Sequence, residues 1–152
     1  MKNLPFDIIL LFGGGFALAK GFASSGLSEV LSDELHVLSN FSPVLIIIFI
    51  CFFMTFLTEF TSNMATITLV LPVLLAISIA TDINPLLLML PATFSASLAF
   101  MLPVATAPNA LVFGSHQLRI ADMAKAGLIL NLVGIVIMSL SMMTLGRWVF
   151  GI

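Results

Sequence analysis

The chain is 152 residues long, 61% hydrophobic and only 8% charged, with a formal net charge of −2 and a mean hydropathy of +1.24. Soluble domains run at about 45–50% apolar and about 25% charged residues, so a water-soluble globule is excluded and the bilayer has to be the solvent. The charge is too small to imply a strongly acidic or basic partner, no Lys/Arg run offers a nucleic-acid footprint, and the lone Cys51 excludes a disulfide framework.

The chain opens on an apolar run from Phe6 to about Ser24, close to the roughly 20 residues at 1.5 Å each that a spanning helix needs. It has no small-residue cleavage site ahead of a soluble domain and does not read as a signal peptide. Gly13, Ala17 and Gly21 fall at four-residue spacing, a pattern that lets a second helix approach closely. Residues 26–39 differ. Leu27, Val30, Leu31, Leu35 and Leu38 follow a helical period, while Ser28, Glu29, Ser32, Asp33 and His36 fall mainly on the other face. The spacing predicts a short amphipathic helix in the membrane interface. Its acidic polar face suits the outer surface better than an anionic cytoplasmic leaflet.

From Leu35 to Leu118 the only formal charges are Glu59 and Asp82. Residues 43–80 form two apolar segments separated by Thr61-Ser62-Asn63. Taken by themselves these fit one long helix, two spans, or a re-entrant hairpin with a polar tip. A tip at mid-depth is tolerated only where it lines a cavity. Residues 85–118 begin as an apolar helix predicted to run to Leu102, then meet Pro103-Val104-Ala105-Thr106-Ala107-Pro108-Asn109 before apolar character resumes at Ala110. Two prolines so close cannot sit in a regular helix, which predicts a span broken in its middle. Residues 121–150 read as the last span, with Arg147 and Trp148 placed as interfacial anchors. Arg119 and Lys125 put the preceding loop on the cytoplasmic side and the C-terminus outside, with Lys20 and Arg147 as opposing votes.

The two breaks carry the chemistry. A freed helix N-terminus presents unpaired N–H groups and the positive end of a dipole, which suits an anion. Unwound carbonyls nearby suit a hard cation such as sodium. Thr61, Ser62 and Asn63 are good N-caps for a helix beginning at Met64, and Thr106 or Ala107 can cap a half-helix with Pro108 at its first position. Two such ends would cradle a carboxylate or sulfate without arginine. Carbonyls of Thr58, Thr61 and Ala105, with the Asn63 side chain, would supply oxygens to a cation. The competing reading is that both breaks are packing kinks.

Thr58-Glu59-Phe60-Thr61-Ser62-Asn63-Met64-Ala65-Thr66, followed by Pro103-Val104-Ala105-Thr106-Ala107-Pro108-Asn109-Ala110, resembles the second half of the divalent anion/sodium symporter family, which carries dicarboxylates, citrate and sulfate. The similarity runs over essentially the whole chain, from Phe12-Gly13-Gly14-Gly15 to Gly146-Arg147-Trp148. The resemblance implies an all-α polytopic membrane protein of two inverted repeats, each with a re-entrant hairpin and a broken transmembrane helix. This chain would be the C-terminal repeat, with the hairpin at 43–80 and the broken helix at 85–118. Ser62, Asn63 and Thr106 would then contact the substrate carboxylate, with Met64, Ala107 and Pro108 completing that wall. Thr58, Thr61, Asn63 and Ala105 would hold sodium, the coupling ion, with no other metal and no cofactor.

Met64 stands where the family has threonine at the tip, so a hydroxyl contact is lost while the backbone N–H remains. Ala107 stands where the break often has a first proline. Related sulfate carriers tend to have asparagine where Thr106 stands, which favours carboxylates. The family also implies a homodimer in the plasma (bacterial inner) membrane and an elevator-like displacement of the site. Because members carry both repeats, the chain is expected to be a fragment or split reading frame. It would lack the N-terminal repeat and be inactive alone.

Among the remaining polar residues, Glu59 either tunes the sodium site, takes up a proton, or faces water in the hairpin crevice. Asn131 is expected to make an interhelical hydrogen bond. His36 and His116 fall near membrane surfaces without partner ligands. An enzyme would need a nucleophile–base pair or paired membrane acids, and neither HExxH nor a second acid beside Glu59 is present. A channel would need a continuous polar lining. A non-transporting membrane assembly subunit, or a degenerate transporter half, is the alternative reading.

Overall fold

A computed structural model describes residues 6–115 and 118–150. Among these, the regular elements are all helical. They are α1 (Phe6–Ser24), α2 (Leu27–Leu35) with a 3-10 turn (His36–Asn40), α3 (Pro43–Thr58), α4 (Asn63–Thr81), α5 (Pro85–Ser95), α6 (Ala107–Phe113) and α7 (Ile120–Ser141), which continues through a π-helical turn (Met142–Gly146) into α8 (Arg147–Phe150). His116 lies outside the described residues.

Local chemistry starts several of these helices. Ser42 caps α3, its Oγ accepting from the Leu45 N–H at 3.4 Å, and Pro43 follows at the first helical position. Asn84 caps α5 in the same way, with Oδ1 accepting from the Leu86 N–H at 2.9 Å ahead of Pro85. Proline is tolerated there because its missing donor would have been unpaired. Asp82, at φ 53°, ends α4 in the left-handed region.

Among the described residues two helices are long and apolar enough to cross a bilayer, Asn63–Thr81 and Ile120–Gly146. A third candidate is the bent pair Asp33–Asn40 and Pro43–Thr58, whose axes meet at 115°. Only 33% of the first span's apolar window and 22% of the second's is buried within the chain. The rest faces lipid or further protein, as in a polytopic membrane protein. The core lies between α3, α4, α5 and α7, around Ile47, Met54, Leu74, Leu88 and Ile135. The amphipathic α2 packs mainly on α4.

Two sequence-based expectations change. Among the described residues nothing packs on the small-residue face of α1 at Gly13 or Gly21, where an added Cβ has nothing within 4 Å. Gly15 makes the close approach, since a Cβ there would overlap Thr68 Cγ2 of α4. It lies two residues from Gly13, about 200° round the helix. The second change concerns α5. It ends at Ser95, well before Pro103, so the non-helical stretch is 96–106 rather than one opening at the first proline. Proline is not what stops this helix.

Candidate functional site

What stops it is a set of side chains that take over the backbone hydrogen bonds of residues 99–102. Glu59, in the C-cap position of α3, is 1% exposed. Its Oε1 accepts from the Met101 N–H at 2.9 Å and its Oε2 from the Leu102 N–H at 2.9 Å. Asn131 of α7, fully buried, donates from Nδ2 to Glu59 Oε1 at 2.7 Å. Its Oδ1 accepts from the Phe100 N–H at 3.2 Å. Asn109 of α6 donates from Nδ2 to the carbonyls of Ala99 and Leu102, at 2.8 and 3.0 Å.

Three consecutive N–H groups and two carbonyls are therefore satisfied by side chains from α3, α6 and α7. Buried backbone groups need partners, and these partners allow the chain to leave the helix inside the apolar core. The expected interhelical bond of Asn131 is present. The expectation that Glu59 could face water in a crevice is overturned, because its carboxylate is enclosed by N–H donors. Those three donors solvate a charge that would otherwise be very costly to bury. Among the described residues the ion pair is elsewhere, Arg119–Asp122 at 2.8 Å on the surface.

Close packing makes the same stretch accessible to α7. Gly127 lies against it, and a Cβ at that position would overlap the Phe100 carbonyl and come within 2.6 Å of Met101 Cα. Sequence reasoning missed Gly127. Its only local signal is a glycine inside an apolar helix, where it costs about 1 kcal/mol relative to alanine.

Three of the four sequence-predicted ion ligands, Thr58, Thr61 and Asn63, lie at the end of α3 and the start of α4, while Ala105 lies at the other break, ahead of α6. Thr58 is fully buried, with Oγ1 donating within its own helix to Met54 O at 3.0 Å or Thr55 O at 3.1 Å. Thr61 Oγ1 contacts Leu57 O at 2.8 Å and Thr66 Oγ1 at 2.6 Å. Among the described residues no backbone N–H donates to the Thr61 or Ala105 carbonyl. Ala105 itself donates to Leu102 O at 3.2 Å.

Helix α4 begins at Asn63, one residue earlier than expected, with Ser62 as its N-cap residue. The Ser62 hydroxyl makes no capping bond, so it leaves the first-turn N–H groups uncapped. Asn63 Oδ1 is a buried oxygen with no hydrogen-bond partner. Such an atom in the protein interior is uncommon and calls for an explanation. The Met64 side chain is 41% exposed.

At the other break, Thr106 caps α6, its Oγ1 accepting from the Asn109 N–H at 3.4 Å. Ala107 is the first helical residue and Pro108 the second, one place later than expected. Glu59 is the direct hydrogen-bonded link between the two breaks. Among the described residues no hydrogen bond joins Thr61–Met64 to Thr106–Pro108. No group of three or more His, Cys, Asp or Glu side chains forms a metal cluster among the described residues. An oxygen site for a monovalent ion would not require one.

Residues 1–152 match the family described as the sodium:sulfate symporter transmembrane region. The chain is 47% identical over 151 residues to the sodium-dependent dicarboxylate transporter SdcS of Staphylococcus saprophyticus, covering 99% of this chain and 29% of that protein. It is 46% identical over 149 residues to the human Na(+)/dicarboxylate cotransporter 3, covering 98% of this chain and 25% of the relative. With the rat Na(+)/citrate cotransporter it shares 47% over 151 residues, covering 99% and 26%. The chain thus spans between a quarter and three-tenths of the length of these relatives.

Proposed function

The chain belongs to the sodium:sulfate symporter transmembrane family, and from that premise we propose that it supplies one half of the ion and anion site of a sodium-coupled symporter for small di- or tricarboxylates. The relatives named above are transporters of this kind, for dicarboxylates or citrate. The observation that carries the reading is the buried, partnerless Oδ1 of Asn63. It sits in the first residue of α4, beside uncapped N–H groups and one break away from Thr58 and Thr61. An oxygen without a proton to accept is what a cation needs, and uncapped helix N–H groups are what a carboxylate needs.

In this reading Thr58, Thr61, Asn63 and Ala105 hold sodium through oxygens. Ser62, Asn63, Met64, Thr106, Ala107 and Pro108 form one wall of the substrate site. Residues 43–80 act as a re-entrant hairpin with its tip at Ser62-Asn63, and 85–118 as a broken spanning helix beside 6–24, 26–39 and 121–150. The opposite wall comes from an N-terminal repeat, without which this half does not transport. The complete protein works as a homodimer in the plasma membrane, with the C-terminus of this chain outside. Bound sodium lowers the cost of bringing an anion into a site already close to the Glu59 charge.

The test is uptake. Residues 1–152 replace the matching segment of the Staphylococcus saprophyticus transporter, and the chimera is reconstituted into proteoliposomes. Uptake of labelled succinate driven by an inward sodium gradient, and lost when choline replaces sodium, is the expected result. Uptake that is indifferent to sodium, or a correctly inserted chimera that transports nothing, would overturn the assignment.

A further inference from the structure

We infer that the groove between α3 and α4 is a seat for one acyl chain of a membrane phospholipid whose headgroup carries a primary ammonium. Helix α3 packs mainly on α5 and α7, and α4 on α2 and α5, so the two touch each other little although a short turn joins them. Between them lies a cavity of about 560 Å³ whose lining residues are all apolar. The buried Ile50 and Met54 form its floor, Phe49 and Phe53 stand exposed along its rim, and Val73 and Ile77 line it from α4. A void lowers stability in proportion to its volume, and water gains nothing in a space without polar partners. The chemistry of the walls therefore asks for a hydrocarbon.

The dimensions select one chain from one leaflet. From Leu45 to Met54 the groove runs about 14 Å along α3 at 1.5 Å per residue, close to half of a hydrocarbon core about 30 Å thick. At about 30 Å³ for a group the size of a water molecule, the cavity takes roughly 19 methylene-sized groups, enough for one acyl chain and not for two.

Charge selects the headgroup. Leu38 and Phe41 line the groove at the bend where the chain turns through 115° from Asp33–Asn40 into Pro43–Thr58. That end adjoins the amphipathic α2, the kind of helix that lies at headgroup depth. Asp33 and Glu34 are exposed there, and the sequence has no Lys or Arg between Lys20 and Arg119. An anionic headgroup would meet carboxylates of its own sign. A primary ammonium meets two opposite charges and has N–H donors for them, which a choline lacks.

Photolabelling tests the seat. The chimera described above is reconstituted into phosphatidylcholine vesicles containing a trace of phosphatidylethanolamine with a diazirine near the end of one acyl chain. It is then irradiated, and the labelled residues are mapped by mass spectrometry. Label should concentrate on α3 and α4 at Phe49, Phe53, Val73 and Ile77, above the level on the exposed outer face of α7 at Ile129, Val133 and Val136. Unlabelled phosphatidylethanolamine should compete about three- to fivefold better than phosphatidylglycerol, on the scale of an exposed ion pair.

Val73→Trp, which fills the groove, should lose the groove label and keep that on α7. The double variant Asp33→Asn, Glu34→Gln changes only exposed side chains, so it serves if Val73→Trp does not insert. It should keep the groove label and lose the preference between the two competitors. Label no stronger in the groove than on α7 would mean ordinary boundary lipid and overturn the seat. A groove without label beside a labelled α7 would mean that another segment of the complete transporter covers it, which overturns the seat as well. Equal competition by both lipids in the parent would overturn the headgroup assignment. None of these readouts needs transport, so a chimera that takes up no succinate yet labels in the groove counts against the proposed function and supports this inference.

Discussion

Replacing Asn63 by alanine is expected to reduce sodium-dependent succinate uptake to background while leaving the protein as stable as before, or slightly more stable. The two halves of this expectation come from one atom. Asn63 Oδ1 is buried and accepts no hydrogen bond. If it is there for packing, deleting it should cost stability, as truncating a buried side chain usually does. If it is there for a ligand, the empty protein carries an unsatisfied buried acceptor. Removing such a group relieves a penalty of about 1–3 kcal/mol. Groups kept at such a cost are characteristic of functional sites, where stability and activity trade against each other.

The measurements are uptake in proteoliposomes and thermal unfolding in detergent, each compared with the parent. Loss of uptake together with a lower unfolding temperature would point to a structural asparagine and remove the main support for the site. Asn63→Asp sharpens the result. It keeps an oxygen for sodium and adds a negative charge at a helix N-terminus, where the helix tolerates it, but that charge opposes an anionic substrate. Sodium affinity should survive better than succinate affinity, a split that general misfolding would not produce.

Several elements of the fold follow from short-range chemistry. Ser42-Pro43 and Asn84-Pro85 each place a capping side chain before a proline that tolerates the first helical position, so the starts of α3 and α5 can be read from adjacent residues. Thr106 before Ala107-Pro108 works in the same way for α6. The end of α5 cannot be read like this. Ala96 to Leu102 is as apolar as the helix before it, and periodicity would carry the helix on to the proline. The chain leaves the helix because Glu59 and Asn131, 42 and 31 positions away from their backbone partners at Met101 and Phe100, supply the missing hydrogen bonds.

The candidate site divides along the same line. Asn63 and Thr106 announce themselves by cap chemistry at a polar interruption. The importance of Glu59 is legible as a lone acid in an apolar stretch, but its partners are not, since they are main-chain amides without a sequence signature. Glycine spacing on α1 does not name its neighbour for a related reason. Gly13, Ala17 and Gly21 define a face, and which face meets a neighbour is decided by packing that the helix itself does not encode. Within this chain the neighbour meets Gly15.

Gly127→Ala is the largest structural effect expected from a single methyl group here. The added Cβ would overlap the Phe100 carbonyl and approach Met101 Cα at 2.6 Å, and both neighbours are backbone rather than the end of a flexible side chain. Either α7 moves out or the 99–102 stretch does. Overpacking alone costs about 1–3 kcal/mol. The displacement also strains the Asn131–Phe100 bond, because Asn131 lies one turn further along the same face of α7, and an unsatisfied buried N–H costs about 1–3 kcal/mol more. A total of roughly 2–6 kcal/mol follows, large against the 5–15 kcal/mol that holds a typical domain together.

Two control glycines separate this from a general intolerance of larger residues. Gly21 has nothing within 4 Å, so Gly21→Ala should be neutral or stabilising through helix propensity. At Gly134 the nearest atom is Leu98 Cδ1 at 2.9 Å, a side-chain end that can turn away, so Gly134→Ala should cost little. Unfolding in detergent should therefore rank Gly127→Ala far below the other two. Equal stability of all three would mean that α7 does not rest on the unwound backbone, and the hold on residues 99–102 would lose one of its four sides.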